Sequence, residues 1–242
     1  MKRSKIPVCS FIALLASCAA LAAQGEDLNT LTDREKTDGW KLLFDGKETN
    51  GWRAYAHADF PKEGWVVEDG CLKSEPGGHG GDLVTTQQFT DFDLKFEWRI
   101  SPAGNSGVKY LVKEGNSGKS GVGFEYQVLD DEKNEDAHNG PNRQAGALYA
   151  LIAPNDSKRL KPVGEFNEGE IIVRGNHVEH WLNGAKIVEC ELGSSALHEA
   201  IAKSKFAKIT WFGRKRPTVI LLQDHGDTAW FRNLKIKELK PD

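Results

Sequence analysis

The sequence predicts an all-β protein, an antiparallel jelly-roll sandwich with one short helix, and three observations carry that expectation. In Phe92-Asp93-Leu94-Lys95-Phe96-Glu97-Trp98-Arg99-Ile100 every even position is apolar and every odd one charged, the period of a strand with one face on a core and the other in water. Asp69-Gly70 and Asn183-Gly184, each flanked by apolar pairs, are two-residue hairpin turns. The composition, with 25 glycines, 7 tryptophans and 11 phenylalanines against one methionine in 242 residues, suits short strands and tight turns better than a helical bundle.

Taken in chain order, the first segment lies outside the fold. Lys2, Arg3 and Lys5 precede an apolar run over residues 6–16, which marks a secretory signal at 1–23. The run is shorter than the roughly 20 residues that span a bilayer. Leu15-Ala16-Ser17-Cys18 resembles a lipobox with Cys18 as the acylated N-terminus, whereas Ala20-Leu21-Ala22 fits ordinary signal peptidase, and both sites stay open. Either one makes the protein exported from a bacterium, periplasmic or held at the membrane as a lipoprotein. Cleavage before Cys18 changes 32 basic against 35 acidic residues to 29 against 35, a net −6 in place of −3. An acidic chain gives no electrostatic reason to expect a nucleic-acid partner. Cys71 and Cys190 remain in the domain, where a bridge and two unpaired thiols packed in strands are both open.

Residues 24–37 read as a polar tail and 38–242 as one domain, without repeat, linker or shift of composition. Trp65-Val66-Val67 and Cys71-Leu72 flank the first hairpin turn. Residues 92–100, 108–112, 122–128 and 218–223 alternate as strands. Trp181-Leu182 and Ile187-Val188 flank the second turn, and Gly175-Asn176 is a third candidate. The one helix, about residues 194–204, has Ser194 or Ser195 as N-cap and Leu197 and Ile201 on its buried face.

The most informative segment is Gly121-Val122-Gly123-Phe124-Glu125-Tyr126-Gln127-Val128-Leu129-Asp130. Phe124, Tyr126 and Val128 share one face, so Glu125 and Gln127 project from the other, about 7 Å apart, with Asp130 just past the strand. Carboxylates and an amide on one sheet surface suit sugar recognition and acid-base chemistry, because hydroxyls need donors and acceptors and a base must be held rigidly. A solvated polar face is the plain alternative. Leu222-Gln223-Asp224-His225-Gly226 and Phe231-Arg232-Asn233 would converge if their strands pair as a hairpin, with His225 as base, acid, metal ligand or mere surface residue. Gly104-Asn105-Ser106-Gly107 reads as a turn in which Asn105 takes a left-handed conformation or offers its amide to a substrate. The acid-rich loop 130–138 lacks EF-hand spacing and only loosely suggests calcium. No zinc-protease, nucleophile-elbow, P-loop or dinucleotide motif occurs, which removes the usual support for phosphoryl and hydride transfer.

Further motifs stand in order with these: Gly39-Trp40-Lys41-Leu42-Leu43-Phe44-Asp45-Gly46, Gly51-Trp52, Trp65-Val66-Val67-Glu68-Asp69-Gly70, Gly80-Gly81-Asp82-Leu83-Val84-Thr85, Glu97-Trp98-Arg99 and Gly146-Ala147-Leu148-Tyr149. Together they make the chain from Gly39 to Leu239 resemble the bacterial 3-keto-disaccharide hydrolase family. The resemblance implies a concanavalin A-like jelly roll whose carbohydrate substrate is a glycoside already oxidised to a ketone at carbon 3, supplied by a sugar 3-oxidoreductase. It implies removal of the proton at carbon 2, elimination of the aglycone from carbon 1 and hydration of the resulting 2-hydroxy-3-keto-glucal. Glu125 or His225 is then expected as base and acid, with Asp130 or Arg232 as electrostatic partner. Glu97, Asn105, Gln127, His138, Arg143, Tyr149, Gln223 and Arg232 are expected to orient the sugar. The resemblance leaves room for a divalent metal on the enolate oxygen, through Asp130, His138 or His225. The strand Glu125-Tyr126-Gln127-Val128-Leu129-Asp130 also resembles the Glu-x-Asp-x-x-Glu signature of retaining laminarinase-like β-glucanases. Gln127 in place of the central acid, and the shorter Asp130, weigh against a mechanism that needs carboxyls about 5 Å apart. A lectin-like carbohydrate-binding module is the non-catalytic alternative, since fold does not determine function.

Overall fold

A computed structural model describes residues 28–115 and 120–240, so the signal segment and both candidate cleavage sites lie outside the described residues. The strands are β1 (Trp40–Leu42), β2 (Trp52–Ala54), β3 (Trp65–Glu68), β4 (Cys71–Ser74), β5 (Leu83–Thr85), β6 (Phe92–Ile100) and β7 (Asn105–Lys113). They continue with β8 (Val122–Leu129), β9 (Asn167–Arg174), β10 (His177–Leu182), β11 (Ala185–Glu191), β12 (Leu221–Leu222) and β13 (Ala229–Glu238). One sheet has eight strands in the order β11-β10-β9-β6-β13-β4-β3, with β1 also paired to β13, and the other has five, β2-β5-β12-β7-β8. The named strand pairings are antiparallel. This is the expected jelly-roll sandwich.

Alternation builds the core. Phe92, Leu94, Phe96, Trp98 and Ile100 of β6 all point inward. They meet Tyr110 of β7 and Phe124 and Tyr126 of β8, and edge-to-face contacts of Phe92 with Tyr110 and Phe96 with Tyr126 join the sheets. Asp69 and Gly70 turn between β3 and β4 with φ of 50° and 71°, and Asn183 and Gly184 between β10 and β11 with 48° and 81°. Positive φ at both central residues is what a type I′ hairpin turn requires. Gly175, with φ of 57°, begins the third turn, between β9 and β10. Helix α2 (Ser195–Ala202) is capped by the Ser194 hydroxyl, which accepts the Leu197 N–H at 3.2 Å.

Four readings are revised or decided. The strands of the Gln223 and Arg232 segments do not pair, because residues 223–228 cross from the five-stranded sheet to the eight-stranded one. Residues 29–37 are held against the domain: α1 (Asp33–Thr37) has a Thr32–Glu35 capping box, Glu35 reaches Lys235, and Asn29 is buried against Gly70 and Asn233. The left-handed residue of the 102–104 turn is Ala103, with φ of 59°, and Asn105 already belongs to β7. Cys71 and Cys190 are free thiols on β4 and β11, five strand spacings apart in one sheet, about 24 Å, which rules out a bridge.

Candidate active site

The outward face of the five-stranded sheet carries a polar cleft. The register sets Lys109 of β7 opposite Glu125 of β8, Gly107 opposite Gln127, and Leu221 of β12 beside Lys109. Glu125 and Gln127 do point away from Phe124 and Tyr126, as alternation requires, but they do not lie in open water: Glu125 is 7% exposed and Gln127 1%. Residues 146–149 run beside β8, with the Gly146 and Tyr149 N–H groups donating to the carbonyls of Gln127 and Glu125. Lys205 and Phe206, just past α2, help close the wall. A cleft of about 260 Å³ remains, with Lys109, Glu125 and Gln127 below and Tyr149, Lys205 and Gln223 around it.

The floor is built around one carboxylate. A Cβ on Gly107 would stand 2.7 Å from Glu125 Oε1 and 2.9 Å from its Cγ, so the side chain lies across a glycine whose replacement would displace it. The Gln127 amide, oriented with nitrogen toward the acid, donates to Glu125 Oε1 at 2.9 Å and to the Ser106 carbonyl at 3.1 Å. Lys109 Nζ is 3.8 Å from Glu125 Oε2 and 3.8 Å from Asp82 Oδ2, and donates to the Gly121 carbonyl at 3.3 Å. Burial raises the Glu125 pKa, opposed by the charges of Lys109 and Lys205 and assisted by Asp82. A fixed carboxylate of raised pKa in a cleft is a candidate general base. Gln223 Oε1 is buried without a hydrogen-bond partner among the described residues, an acceptor open to a ligand hydroxyl.

Tyr149 forms the far wall. Its hydroxyl donates to Asp136 Oδ2 at 2.8 Å and accepts from Arg143 Nη1 at 2.9 Å, while Arg143 also reaches Asp136 Oδ1 at 2.9 Å. Hydrogen bonds to Tyr149 and Asn139 and the Arg143 guanidinium lower the Asp136 pKa against its partial burial, and burial beside that carboxylate raises the Tyr149 pKa. Beyond Asn105, Tyr149 and His225, which border both spaces, the cleft opens into a shallower depression of about 680 Å³ that includes Asn134, Asp136 and Asp227.

The structure therefore brings together Glu125, Gln127, Asn105, Tyr149, Gln223 and His225, with Arg143 behind Tyr149. It puts four expected residues elsewhere. Asp130 faces away: its Oδ2 accepts the Ala103 N–H at 2.7 Å and its Oδ1 those of Glu132 and Lys133, because a carboxylate past a strand end satisfies free turn amides. Arg232 and Glu97 pair with each other at 2.8 Å on the outer face of the eight-stranded sheet, a consequence of the sheet crossover. His138 is exposed on a 3₁₀ turn and meets the Glu132 carbonyl at 3.2 Å. Asp130, His138 and His225 accordingly do not form one metal-binding group. The aspartates of the 130–138 loop have protein donors, Asp131 from Ala145 N–H and Lys158 and Asp136 from Arg143 and Tyr149. Among the described residues, the one group with metal-like spacing is His177, Glu179 and Glu189 on the outer sheet, where Lys186 already pairs with both acids. The sequence reading missed Lys109, Lys205, Asp82 and Asp136. Only Lys109 had a local signal, its polar place between Val108 and Tyr110.

Fold and cleft together define a jelly-roll protein that offers a buried carboxylate and polar walls to a small polyhydroxylated ligand. Residues 39–237 match the family model of the 3-keto-α-glucoside-1,2-lyase-like domain, and the chain belongs to that family. It is 35% identical to a 3-keto-disaccharide hydrolase of Bacteroides thetaiotaomicron, over 94% of this chain and 87% of the relative. A solved structure from Parabacteroides distasonis, assigned as a glycosyl hydrolase, superposes with a TM-score of 0.79 at 33% identity, covering 88% of this chain and 100% of the other. A galectin-like protein of Bacillus subtilis, 10% identical, shares the fold with a TM-score of 0.51 over 79% of this chain and 90% of its own.

Proposed function

We propose that the protein cleaves glycosides whose carbon 3 is a ketone, with Glu125 as the base that removes the proton at carbon 2. The observation that carries the reading is the Glu125 carboxylate itself, buried across Gly107, fixed by Gln127 and raised in pKa at the floor of the cleft. A ketone at carbon 3 makes the carbon 2 hydrogen acidic. The electron pair left by its removal moves onto the carbon 3 oxygen, and the enolate then expels the carbon 1 oxygen. Water adds across the resulting 2-hydroxy-3-keto-glucal, hydroxyl to carbon 1 and proton to carbon 2, for net hydrolysis. In this reading His225, which borders both spaces, protonates the departing oxygen. A space of about 260 Å³ lies below the roughly 300–1,000 Å³ of drug-sized sites and suits one oxidised ring, with the outer depression left for the aglycone.

The membership and the two relatives support this chemistry over a retaining glucanase, for which the second carboxylate is missing: Gln127 is an amide and Asp130 faces away. A lectin-like module would favour an exposed aromatic platform, whereas Phe206 is buried and the Tyr149 ring lies beneath Lys205. The same reading puts the protein outside the cytoplasm, lipid-anchored if Cys18 is acylated, and makes it depend on a sugar 3-oxidoreductase for substrate. The test runs a β-glucan, an unoxidised disaccharide and its 3-keto derivative in heavy water. The expected result is cleavage of the keto sugar alone, with deuterium at carbon 2, and a Glu125→Gln turnover lower by about 10²–10⁴-fold. A fully active Glu125→Gln would remove the assignment.

A further inference from the structure

As Glu125 takes up the carbon 2 proton its negative charge passes to the carbon 3 oxygen, so a cation or strong hydrogen-bond donor facing that oxygen favours the step. Among the described residues, Lys109 and Lys205 line the inner cleft and Arg143 stands behind its Tyr149 wall, whereas Lys133 lines only the outer depression. Lys109 is 5% exposed, bonded to the Gly121 carbonyl and held between Asp82 and Glu125, so its charge serves the base from below. Arg143 is occupied behind Tyr149 by Asp136 and the phenol oxygen. Lys205 differs from both. It reaches the cleft wall from the segment after α2, forms no ion pair among the described residues, and makes one hydrogen bond there, to the Tyr149 oxygen at 3.4 Å. An ammonium has three donors, so two remain for a ligand.

Resting on the keto-sugar reading above, we propose that Lys205 is a further catalytic residue, the electrophile that stabilises the carbon 3 enolate oxygen while Glu125 holds the carbon 2 proton. The electron pair of the C2–H bond ends on the carbon 3 oxygen, Glu125 carries the proton, and the Lys205 N–H groups donate to that oxygen without loss of a proton. Tyr149 cannot take this role, because its own proton is directed to Asp136. Its ring instead seats the ammonium, 4.3 Å from the centroid, with the Phe206 ring at 5.3 Å. The Asp136–Arg143 bracket fixes that seat from behind. Partial burial lowers the Lys205 pKa, with Arg143 and Lys109 adding to the effect and Glu125 opposing it, which makes the ammonium a stronger hydrogen-bond donor.

The test separates enolate formation from aglycone departure. A 3-keto-1,5-anhydroglucitol carries no aglycone at carbon 1, so removal of its carbon 2 hydrogen is read as exchange at that position in heavy water. With the full-length protein, Lys205→Met is expected to slow both this exchange and keto-disaccharide turnover by about 10²–10³-fold, with thermal stability kept and Lys205→Arg partly active. Unchanged exchange overturns the assignment, whether turnover falls or not, since Lys205 would then act on the leaving oxygen or on nothing. Failure of the wild-type protein to exchange the analogue or cleave the keto disaccharide would overturn the keto-sugar reading and this assignment together. Exchange in the wild type that survives in Lys205→Met overturns only the assignment.

Discussion

At the residue scale, the site is a compromise between reactivity and burial. Glu125 has its pKa raised in the folded chain, so the fold binds its proton more tightly than the unfolded chain does, and stability falls as pH rises through the range between those two values. At pH 8 the buried charge is a cost, and Glu125→Gln should be at least as stable as the wild type by thermal unfolding while losing turnover. Four charged or titratable groups face that carboxylate: Lys109 from β7, Asp82 ahead of β5, Lys205 after α2 and His225 after β12. Lys109 lies directly across the strands, and its charge lowers the Glu125 pKa. With Glu125 as the proposed base, activity is lost as pH falls through its pKa, so Lys109→Met should move the acid limb of the kcat/KM profile to higher pH. Asp82, fully buried and 3.8 Å from Lys109 Nζ, would oppose ionisation once the lysine is gone. A limb that stays in place would show that Lys109 serves only packing.

At the scale of elements, what one strand or turn encodes by itself was legible, and what depends on register between distant strands was not. The alternation of β6 and β8 and the Asp-Gly and Asn-Gly dipeptides are local physics, and they located strands, hairpins and the outward Glu125–Gln127 pair. The same rule misled at Arg232: two polar-ended strands near each other in sequence imply a hairpin, but β12 and β13 belong to different sheets. Lys109 became a site residue only through its pairing with Glu125, and Lys205 only because α2 brings it back over the cleft from eighty residues away. The N-terminal strap is another long-range feature hidden in polar residues. The Asn29 amide donates to the Gly70 carbonyl at 2.9 Å and its oxygen accepts the Asn233 N–H at 2.8 Å, with a left-handed backbone, φ 55°, that asparagine tolerates better than most. Asn29→Ala leaves two partly buried backbone groups unpaired and should cost about 2 kcal/mol in denaturant unfolding. Turnover should be unchanged, because β13 belongs to the other sheet. An unaltered midpoint would mean the strap contributes nothing.

At the scale of the whole molecule, one histidine ties the two sheets to the cleft. His180 of β10 is fully buried between them, its Nε2 2.7 Å from the Tyr110 hydroxyl of β7 and its Nδ1 3.0 Å from the Gly146 carbonyl. The neutral ring satisfies both, donating from Nδ1 to the carbonyl and accepting the phenol proton at Nε2. Gly146 begins the stretch that runs along β8 and carries Tyr149, so this bond fixes the sandwich and the cleft wall at once. Burial pushes the His180 pKa down to about 4 from 6.5. A group depressed in the fold contributes stability that is complete above pH 6.5 and is lost as pH falls toward 4, here about 3 kcal/mol. Asp93, pushed up to about 7 by burial and by Glu170, works in the opposite sense over much of the same range. The His180 contribution is therefore best read as a difference between two proteins. His180→Phe keeps an aromatic ring beside Tyr126 but leaves the Gly146 carbonyl and the Tyr110 hydroxyl unpaired, so it should be less stable than the wild type at pH 8 by about 2–4 kcal/mol. Denaturant unfolding at pH 8, 6, 5 and 4 should then show that gap closing, because the wild type alone takes up a proton at His180 when it unfolds. A gap that stays constant down to pH 4 would mean that His180 does not couple proton uptake to unfolding, and that acid loosens the cleft by another route.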